Sequence, residues 1–107
     1  MTSGDLRPVI TVKLTDTRAD ISERVLFSCE FQCQTEFRVN WYHNGILITQ
    51  SNEKYIIKHE NNRSILIILN IQVEDSGYYE FRIQNKLGIS SSNAKLTVIQ
   101  SNYIKIF

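Results

Sequence analysis

The chain has 107 residues, which suits one domain with a single core and is too short for two. Its 12 basic residues nearly balance its 11 acidic ones, and the net charge of +1 excludes the clustered basic excess that nucleic acid or an anionic membrane surface requires. A hydrophobic content of 42% excludes a disordered chain, and no apolar run approaches the roughly 18 residues of a membrane span. Ile, Val and Thr together make up 28 of the 107 residues, which favours strands over helices.

Alternating apolar and polar residues predict about eight short strands. In chain order they are Val9–Leu14, Val25–Phe31, Val39–Trp41, Ile46–Ile48, Tyr55–His59, Leu66–Ile71, Tyr79–Ile83 and Ala94–Ile99. Asn44-Gly45 and the polar run Glu60–Arg63 are typical of hairpin turns, and Gln72–Gly77 predicts a short helix-like corner. Short strands at regular spacing, separated by such turns, indicate an antiparallel sandwich.

The strand pattern also predicts the domain organisation. Residues 8–99 are expected to form one domain, with residues 1–7 as an N-terminal extension. Residues 100–107 are expected to be a C-terminal tail, or the start of a linker to a following segment, because apolar residues alternate there beyond the last core strand.

One set of residues is specific in its order and spacing. Cys29 is followed 12 positions later by Trp41, and then by Asp75-Ser76-Gly77-Tyr78-Tyr79, which fits the pattern Asp-x-Gly-x-Tyr. Phe81 comes next, and Asn85 and Gly88 then suit the hairpin that joins the last two strands. The whole of Pro8–Ile99 thereby resembles the immunoglobulin fold of the intermediate, or I-set, type. The resemblance implies an all-β, two-layer antiparallel Greek-key β-sandwich.

The roles that the resemblance implies for these residues are structural. Trp41 would fill the space between the sheets, and the Tyr79 hydroxyl would bond to upstream backbone as a tyrosine corner. Asp75 and Gly77 suit a tight corner, because a carboxylate accepts nearby N–H groups and glycine tolerates unusual φ. The predicted structural core comprises Cys29, Trp41, Leu66, Ile68, Asp75, Gly77, Tyr79 and Phe81.

The cysteines depart from the family pattern. The fold usually joins its sheets by a disulfide from the position of Cys29 to the position two residues after the corner tyrosine, which here is Phe81. Cys33 lies only four residues from Cys29. In an extended strand that separation is about 13 Å, whereas a disulfide needs Cα atoms within about 7 Å. We therefore expect no inter-sheet disulfide and two free thiols.

Free thiols indicate a reducing compartment. I-set domains inside cells belong largely to muscle and cytoskeletal proteins similar to titin, twitchin, obscurin, myosin-binding protein C and myosin light-chain kinase. The resemblance thus implies a non-enzymatic module of an intracellular sarcomeric or cytoskeletal protein that gives spacing, elasticity and partner docking. A kinase domain could lie elsewhere in the parent chain. No cofactor is expected, and the isolated domain is expected to be monomeric.

Three other functions stay open. An extracellular adhesion or receptor module would use the glycosylation sequon Asn62-Arg63-Ser64. A redox-sensing module would use Cys33. A metal or catalytic site would need His43, His59 and Cys33 to converge, and no motif supports that arrangement.

Partner docking is expected at exposed strand edges, because an edge can accept a partner strand. The first and last strands are predicted to form such an edge, with docking residues Val9, Thr11, Lys13, Lys95 and Thr97. The expected partners are neighbouring modules and sarcomeric or cytoskeletal proteins, with no nucleic acid and no membrane insertion. The stretch Ser64–Ile71 is apolar on both faces, which fits either a central strand or an apolar outer patch. Ile46–Ile48 raises the same question.

Overall fold

The computed structural model describes residues 6–51 and 53–100. Most of the predicted extension over 1–7 and of the tail over 100–107 therefore lies outside the described residues. Within them the chain forms nine strands, with one turn of 3-10 helix (Val73–Asp75) between the seventh and eighth. The strands are β1 (Val9–Val12), β2 (Thr17–Asp20), β3 (Val25–Gln32), β4 (Arg38–His43), β5 (Ile46–Ile48), β6 (Tyr55–Glu60), β7 (Arg63–Ile68), β8 (Gly77–Asn85) and β9 (Gly88–Ile99).

The strands make two packed sheets, with the order β1-β3-β7-β6 in one and β2-β9-β8-β4-β5 in the other. Apolar residues at every second position point into the space between the sheets, as the alternation in the sequence predicts. Both cysteines are free. The predicted fold class, an immunoglobulin-like sandwich without its inter-sheet disulfide, is confirmed.

The start of the chain differs from the prediction. The expected first strand Val9–Leu14 ends at Val12, and a separate strand, β2, follows in the other sheet. The chain crosses between sheets without reversing its direction, so β2 pairs with β9 in parallel over Thr17–Asp20. One parallel pair therefore joins an otherwise antiparallel sandwich.

The centre of the core is a set of contacting rings. The Trp41 and Phe81 centroids are 5.2 Å apart, and Phe31 stacks on Phe81 at 5.6 Å. Cys29 is fully buried in the same cluster. Aromatic packing thus fills the position where the second half-cystine would otherwise stand.

The two ends of the sandwich are distinct. We call the end that holds Pro8 and the β8–β9 hairpin the N-terminal pole, and the end that holds the corner Gln72–Gly77 the C-terminal pole. At the C-terminal pole the backbone of Ile21 bonds to that of Ile99, so the chain arrives at one pole and leaves from the other.

The corner at the C-terminal pole is held by local hydrogen bonds. The Tyr79 hydroxyl donates to the Asp75 carbonyl at 2.6 Å, as the tyrosine-corner pattern predicts. The Asp75 carboxylate accepts from the backbone N–H of Gln72 at 2.7 Å and from Lys54 Nζ at 2.5 Å. Both bonds go to Oδ2, so this oxygen of the nearly buried carboxylate joins the corner backbone to Lys54.

Gly77 is needed at this corner for two reasons. Its φ of +133° is a conformation that L side chains rarely adopt. An added Cβ would also lie only 2.5 Å from the Asn44 side-chain oxygen, which accepts from the Tyr78 N–H. The β4–β5 turn therefore docks on the corner only when residue 77 has no side chain.

Candidate protein-docking surfaces

The predicted structural residues come together in one place. Six of the eight, namely Cys29, Trp41, Leu66, Ile68, Tyr79 and Phe81, are fully or almost fully buried. Asp75 is 5% exposed, and Gly77 is half-buried beside it at the C-terminal pole. These residues build the scaffold and leave the outer surfaces for partners.

The two thiols lie in different environments. Burial, with a smaller contribution from Glu30, raises the pKa of Cys29 to about 11, so this thiol is protonated at neutral pH. Cys33 is half-buried at the N-terminal pole, where its Sγ lies 3.7 Å from the Thr35 carbonyl and 3.6 Å from Asn85 Nδ2.

A buried polar network connects the centre of the core to the edge strand β6. Trp41 Nε1 donates to the Ser64 hydroxyl at 2.9 Å, and that hydroxyl shares a hydrogen bond with His59 Nδ1 at 3.0 Å. Ser64 is fully buried. The sequence interpretation missed this role, although a lone serine at an inward position opposite a core tryptophan could have suggested it.

A second polar centre lies at the N-terminal pole, where the predicted place of Asn85 in the hairpin is confirmed and its links to distant segments were missed. Asn85 Oδ1 accepts from the N–H groups of Leu87 and Gly88 at 2.8 and 3.1 Å, which closes the β8–β9 hairpin. Its Nδ2 donates to the Leu6 carbonyl at 2.7 Å and to Thr35 Oγ1 at 2.9 Å. One side chain therefore ties together three segments that are far apart in the sequence.

Half of the predicted docking edge is wrong. β1 is an edge strand, so Val9 and Thr11 lie at an edge, but β9 is covered by β2. Thr97 pairs with Arg18, and the Lys95 N–H donates to the Asp16 carboxylate at 2.8 Å. The backbone of β9 at these positions is thus already bonded and cannot accept a partner strand.

The remaining predicted edge residue, Lys13, follows β1 in the segment that crosses between the sheets. Serine side chains of β9 hold the chain on both sides of β1. Ser90 Oγ donates to the Pro8 carbonyl at 2.6 Å, and Ser92 Oγ accepts from the Leu14 N–H at 3.0 Å.

The outer face of the four-stranded sheet carries an apolar patch. Leu26 and Ile56 both pair with Ile67, and Ile65 follows on the same face of β7. Leu26 is 56% exposed, whereas the three isoleucines are half-buried by their neighbours. Both interpretations of Ser64–Ile71 are therefore partly right, because a central strand and an apolar outer patch coexist.

The outer face of the five-stranded sheet is polar and basic. The Arg82 guanidinium lies 4.3 Å from the Tyr42 ring centroid and pairs with Glu80 at 3.1 Å. The register also places Arg18, Arg38 and Lys95 on this face. Tyrosine and arginine are enriched where proteins dock, so this face suits a polar partner.

The chemistry available to the described residues is limited. They contain no group of three or more His, Cys, Asp or Glu residues that could hold a metal ion. His43 stacks on Tyr79 and donates to the Ser76 carbonyl at the C-terminal pole, whereas His59 bonds to Ser64. The two histidines thus serve separate structural contacts. No helix in residues 6–51 and 53–100 has the length and apolarity to cross a membrane.

Comparison with known families agrees with this geometry. Residues 8–98 match the family model described as the immunoglobulin I-set domain. A crystal form of titin domain M4 superposes with a TM-score of 0.85 at 29% identity, covering 91% of this chain and 100% of that one.

Two curated relatives belong to different kinds of protein. The titin homolog of Caenorhabditis elegans is 34% identical over 95 residues, which is 89% of this chain and rounds to 0% of that protein. The membrane-bound isoform of pro-neuregulin-1 of Rattus norvegicus is 28% identical over 105 residues, or 92% of this chain and 16% of that protein. The chain thus spans only a small part of either relative.

Proposed function

Because the chain belongs to the immunoglobulin I-set family, whose domains are generally non-catalytic, we propose that it is a structural and docking module of a multidomain intracellular muscle or cytoskeletal protein. The likeness to titin domains supports the muscle context. Residues 8–99 would be the module, and the flanking residues would lead to its neighbours. The module would set spacing, resist tension and present surfaces to partner proteins.

The observation that carries the proposal is the core without a disulfide. Cys29 is fully buried, and stacked rings fill the position opposite it. A sandwich that holds together by packing alone keeps its stability in a reducing cytosol, where an inter-sheet disulfide would not persist.

The topology supports a role under tension. β2 follows the N-terminal segment, β9 precedes the C-terminal segment, and the two strands run parallel side by side. Opposite pulls on the chain ends therefore load the hydrogen bonds between them in shear, and all of these bonds must fail together. Such a pair resists force better than one that opens bond by bond.

Docking would use the outer faces and the free edges. The basic face around Arg82 and Tyr42 suits an acidic or polar partner surface. The apolar patch around Ile67 suits an apolar one. Each contact would be weak, which fits a module that acts as one of many in a long chain.

Single-molecule stretching tests the mechanical part of the proposal. The chain would be placed between marker domains and pulled through its ends. We expect one unfolding step whose length gain matches about 90 residues, or roughly 300 Å. Arg18→Pro, which adds proline to β2 in the shearing pair, should lower the unfolding force, whereas Lys58→Pro on β6 should change it less. Unfolding at negligible force, or equal effects of both substitutions, would contradict this part.

An extracellular adhesion or receptor module is the second candidate, favoured by the pro-neuregulin relative and by the exposed Asn62 of the sequon. Counting thiols in the unfolded, unreduced protein from its native source separates the two. Two free thiols and an unmodified Asn62 support the intracellular module. No free thiol, or a glycan on Asn62, would favour the extracellular one.

A further inference from the structure

The four edge strands differ in how their free backbone groups are protected. β2 carries the charged residues Arg18 and Asp20, and β1 follows Pro8 and contains a bulge. β6 is capped by Gln50, whose Oε1 accepts from the Ile57 N–H at 3.0 Å. Charges, proline, bulges and caps are the devices that prevent an edge from pairing with another chain. β5 has none of these, and only its shortness protects it.

The exposed side chains of β5 are apolar. Ile46 is 71% exposed and Leu47 is 50% exposed. The turn Asn44-Gly45 joins β4 to β5 with two residues, so the closing pair of the hairpin is the hydrogen-bonded one. The next pair alternates with it, and the N–H and C=O of Leu47 therefore point to the free edge.

An open groove lies beside this edge, between the two sheets. Its lining includes His43, Ile48, Ser51, Lys54 and Tyr55. An extended segment entering here would pair with the Leu47 backbone. Its alternate side chains would lie over the groove, on the face of Ile46 and Ile48, and beside Leu47 on the opposite face.

We propose that the occupant is the segment Tyr103–Phe107 of a second copy of this chain. The segment reads Tyr-Ile-Lys-Ile-Phe, which combines strong strand-forming residues with a single charge, and it lies outside the described residues. It matches the uncharged, apolar character of the β5 edge.

The reach of the chain leaves very little pairing possible within one molecule. A position beyond β5 lies four strand spacings from β9, or about 19 Å. The seven residues after Gln100 extend at most about 24 Å, which leaves only one or two of them to pair. A segment from another molecule has no such limit.

Exchange between two molecules would close a two-fold dimer, whereas one-way donation would build open chains. Either association depends on concentration. The predicted monomer would then hold only for dilute protein.

Sedimentation velocity of residues 1–107 over a wide concentration range, up to millimolar, tests the proposal. We expect association that is lost when residues 101–107 are deleted and weakened at least about tenfold by Leu47→Lys, which puts a charge on the edge. Ile89→Lys is the matched control, because Ile89 is 55% exposed on the same sheet and lies away from β5. A synthetic peptide of residues 101–107 should compete.

A chain that stays monomeric throughout would overturn the proposal. So would association that survives the deletion, or that Ile89→Lys weakens as much as Leu47→Lys. Thermal unfolding of each variant, compared with that of the parent chain, verifies that Leu47→Lys acts at the edge and not on the fold. None of these outcomes alters the proposed intracellular role, which depends on the thiol count and the stretching experiment.

Discussion

The two poles of the sandwich are held together by different kinds of contact. At the C-terminal pole two hydrogen bonds of Asp75 and Tyr79 join residues three and four positions apart, and Lys54 and Asn44 bond to this corner from farther along the chain. At the N-terminal pole Asn85 bonds to Leu6 and Thr35, which lie 79 and 50 positions away. The first pole is built on a short sequence motif that Lys54 and Asn44 also contact, and the second on one side chain that closes its own hairpin and links two distant segments. A change at the corner, which is joined to the buried core through Tyr79, should therefore lower global stability. Loss of the Asn85 links to Leu6 and Thr35 should mainly loosen the loops that they join.

The largest effect is expected at Gly77 of the C-terminal pole. Gly77→Ala should lower the free energy of unfolding by about 3 kcal/mol, since it adds backbone strain to a clash with Asn44. Urea denaturation measures the loss. Gly45→Ala is the control, because Gly45 also has positive φ but has no atom within 4 Å of the added Cβ. It should cost about 1 kcal/mol, and equal losses would show that the contact with Asn44 is unimportant.

Alkaline pH should weaken the fold from the core and from the C-terminal pole. The folded Cys29 has a pKa of about 11 against 9.0 for the exposed thiol, so the unfolded chain releases its proton first and stability falls between pH 9 and 11. This difference corresponds to about 2.7 kcal/mol. Cys29→Ala should flatten that part of the pH profile measured by denaturant unfolding.

The loss that remains above pH 10 belongs to the C-terminal pole. Burial is the main cause that raises the pKa of Tyr79, followed by Tyr55 and Asp75. Its stability contribution is therefore complete below the pKa of exposed tyrosine and declines above it. If the parent chain and Cys29→Ala have the same pH profile, the stability loss between pH 9 and 11 does not come from Cys29.

The N-terminal pole is tested at Asn85. Asn85→Ala should cost about 2 kcal/mol, because it leaves the N–H groups of Leu87 and Gly88 without their acceptor. Asn85→Asp keeps that acceptor and removes the donors to Leu6 and Thr35. Hydrogen exchange should then quicken at residues 6–7 and 33–37 in both variants, while the hairpin amides lose protection only in Asn85→Ala. Uniform loss of protection across the domain would contradict the idea of a local link.

The smallest effect is expected at the tyrosine corner. Tyr79→Phe keeps the buried ring and removes the hydroxyl that donates to Asp75, at a cost of about 1 kcal/mol. Thermal unfolding measures the change. Phe81→Leu, which alters the ring stack of the core instead, is a useful comparison and should cost more. A larger loss for Tyr79→Phe would show that the corner bond contributes more than the packing around it.

The C-terminal pole was predictable from the sequence because its signals are local. Asp75, Gly77 and Tyr79 occupy fixed offsets, and each offset has a steric or hydrogen-bonding reason. The strand alternation was likewise predictable, since a period of two needs no knowledge of distant neighbours.

The features that were missed depend on distant neighbours. β2 contains only Thr-Arg-Ala-Asp, so its inward side chains are small and give little periodic signal. Its pairing with β9 removes Thr97 from the edge, and the Asp16 carboxylate just before β2 occupies the Lys95 N–H. The role of Ser64 and the bonds of Asn85 to Leu6 and Thr35 likewise arise only when segments far apart in sequence are brought together.

The burial of Ser64 also restricts when the nearby Asn62 could be glycosylated. A transferase that recognises Asn-x-Ser must reach the Ser64 hydroxyl as well as the Asn62 amide. In the folded domain that hydroxyl is enclosed and bonded to Trp41. Asn62 is thus exposed while its recognition sequence is hidden, so a sugar could be added only before β7 joins its sheet. A glycan on Asn62 would therefore show that the chain was translocated before this domain folded.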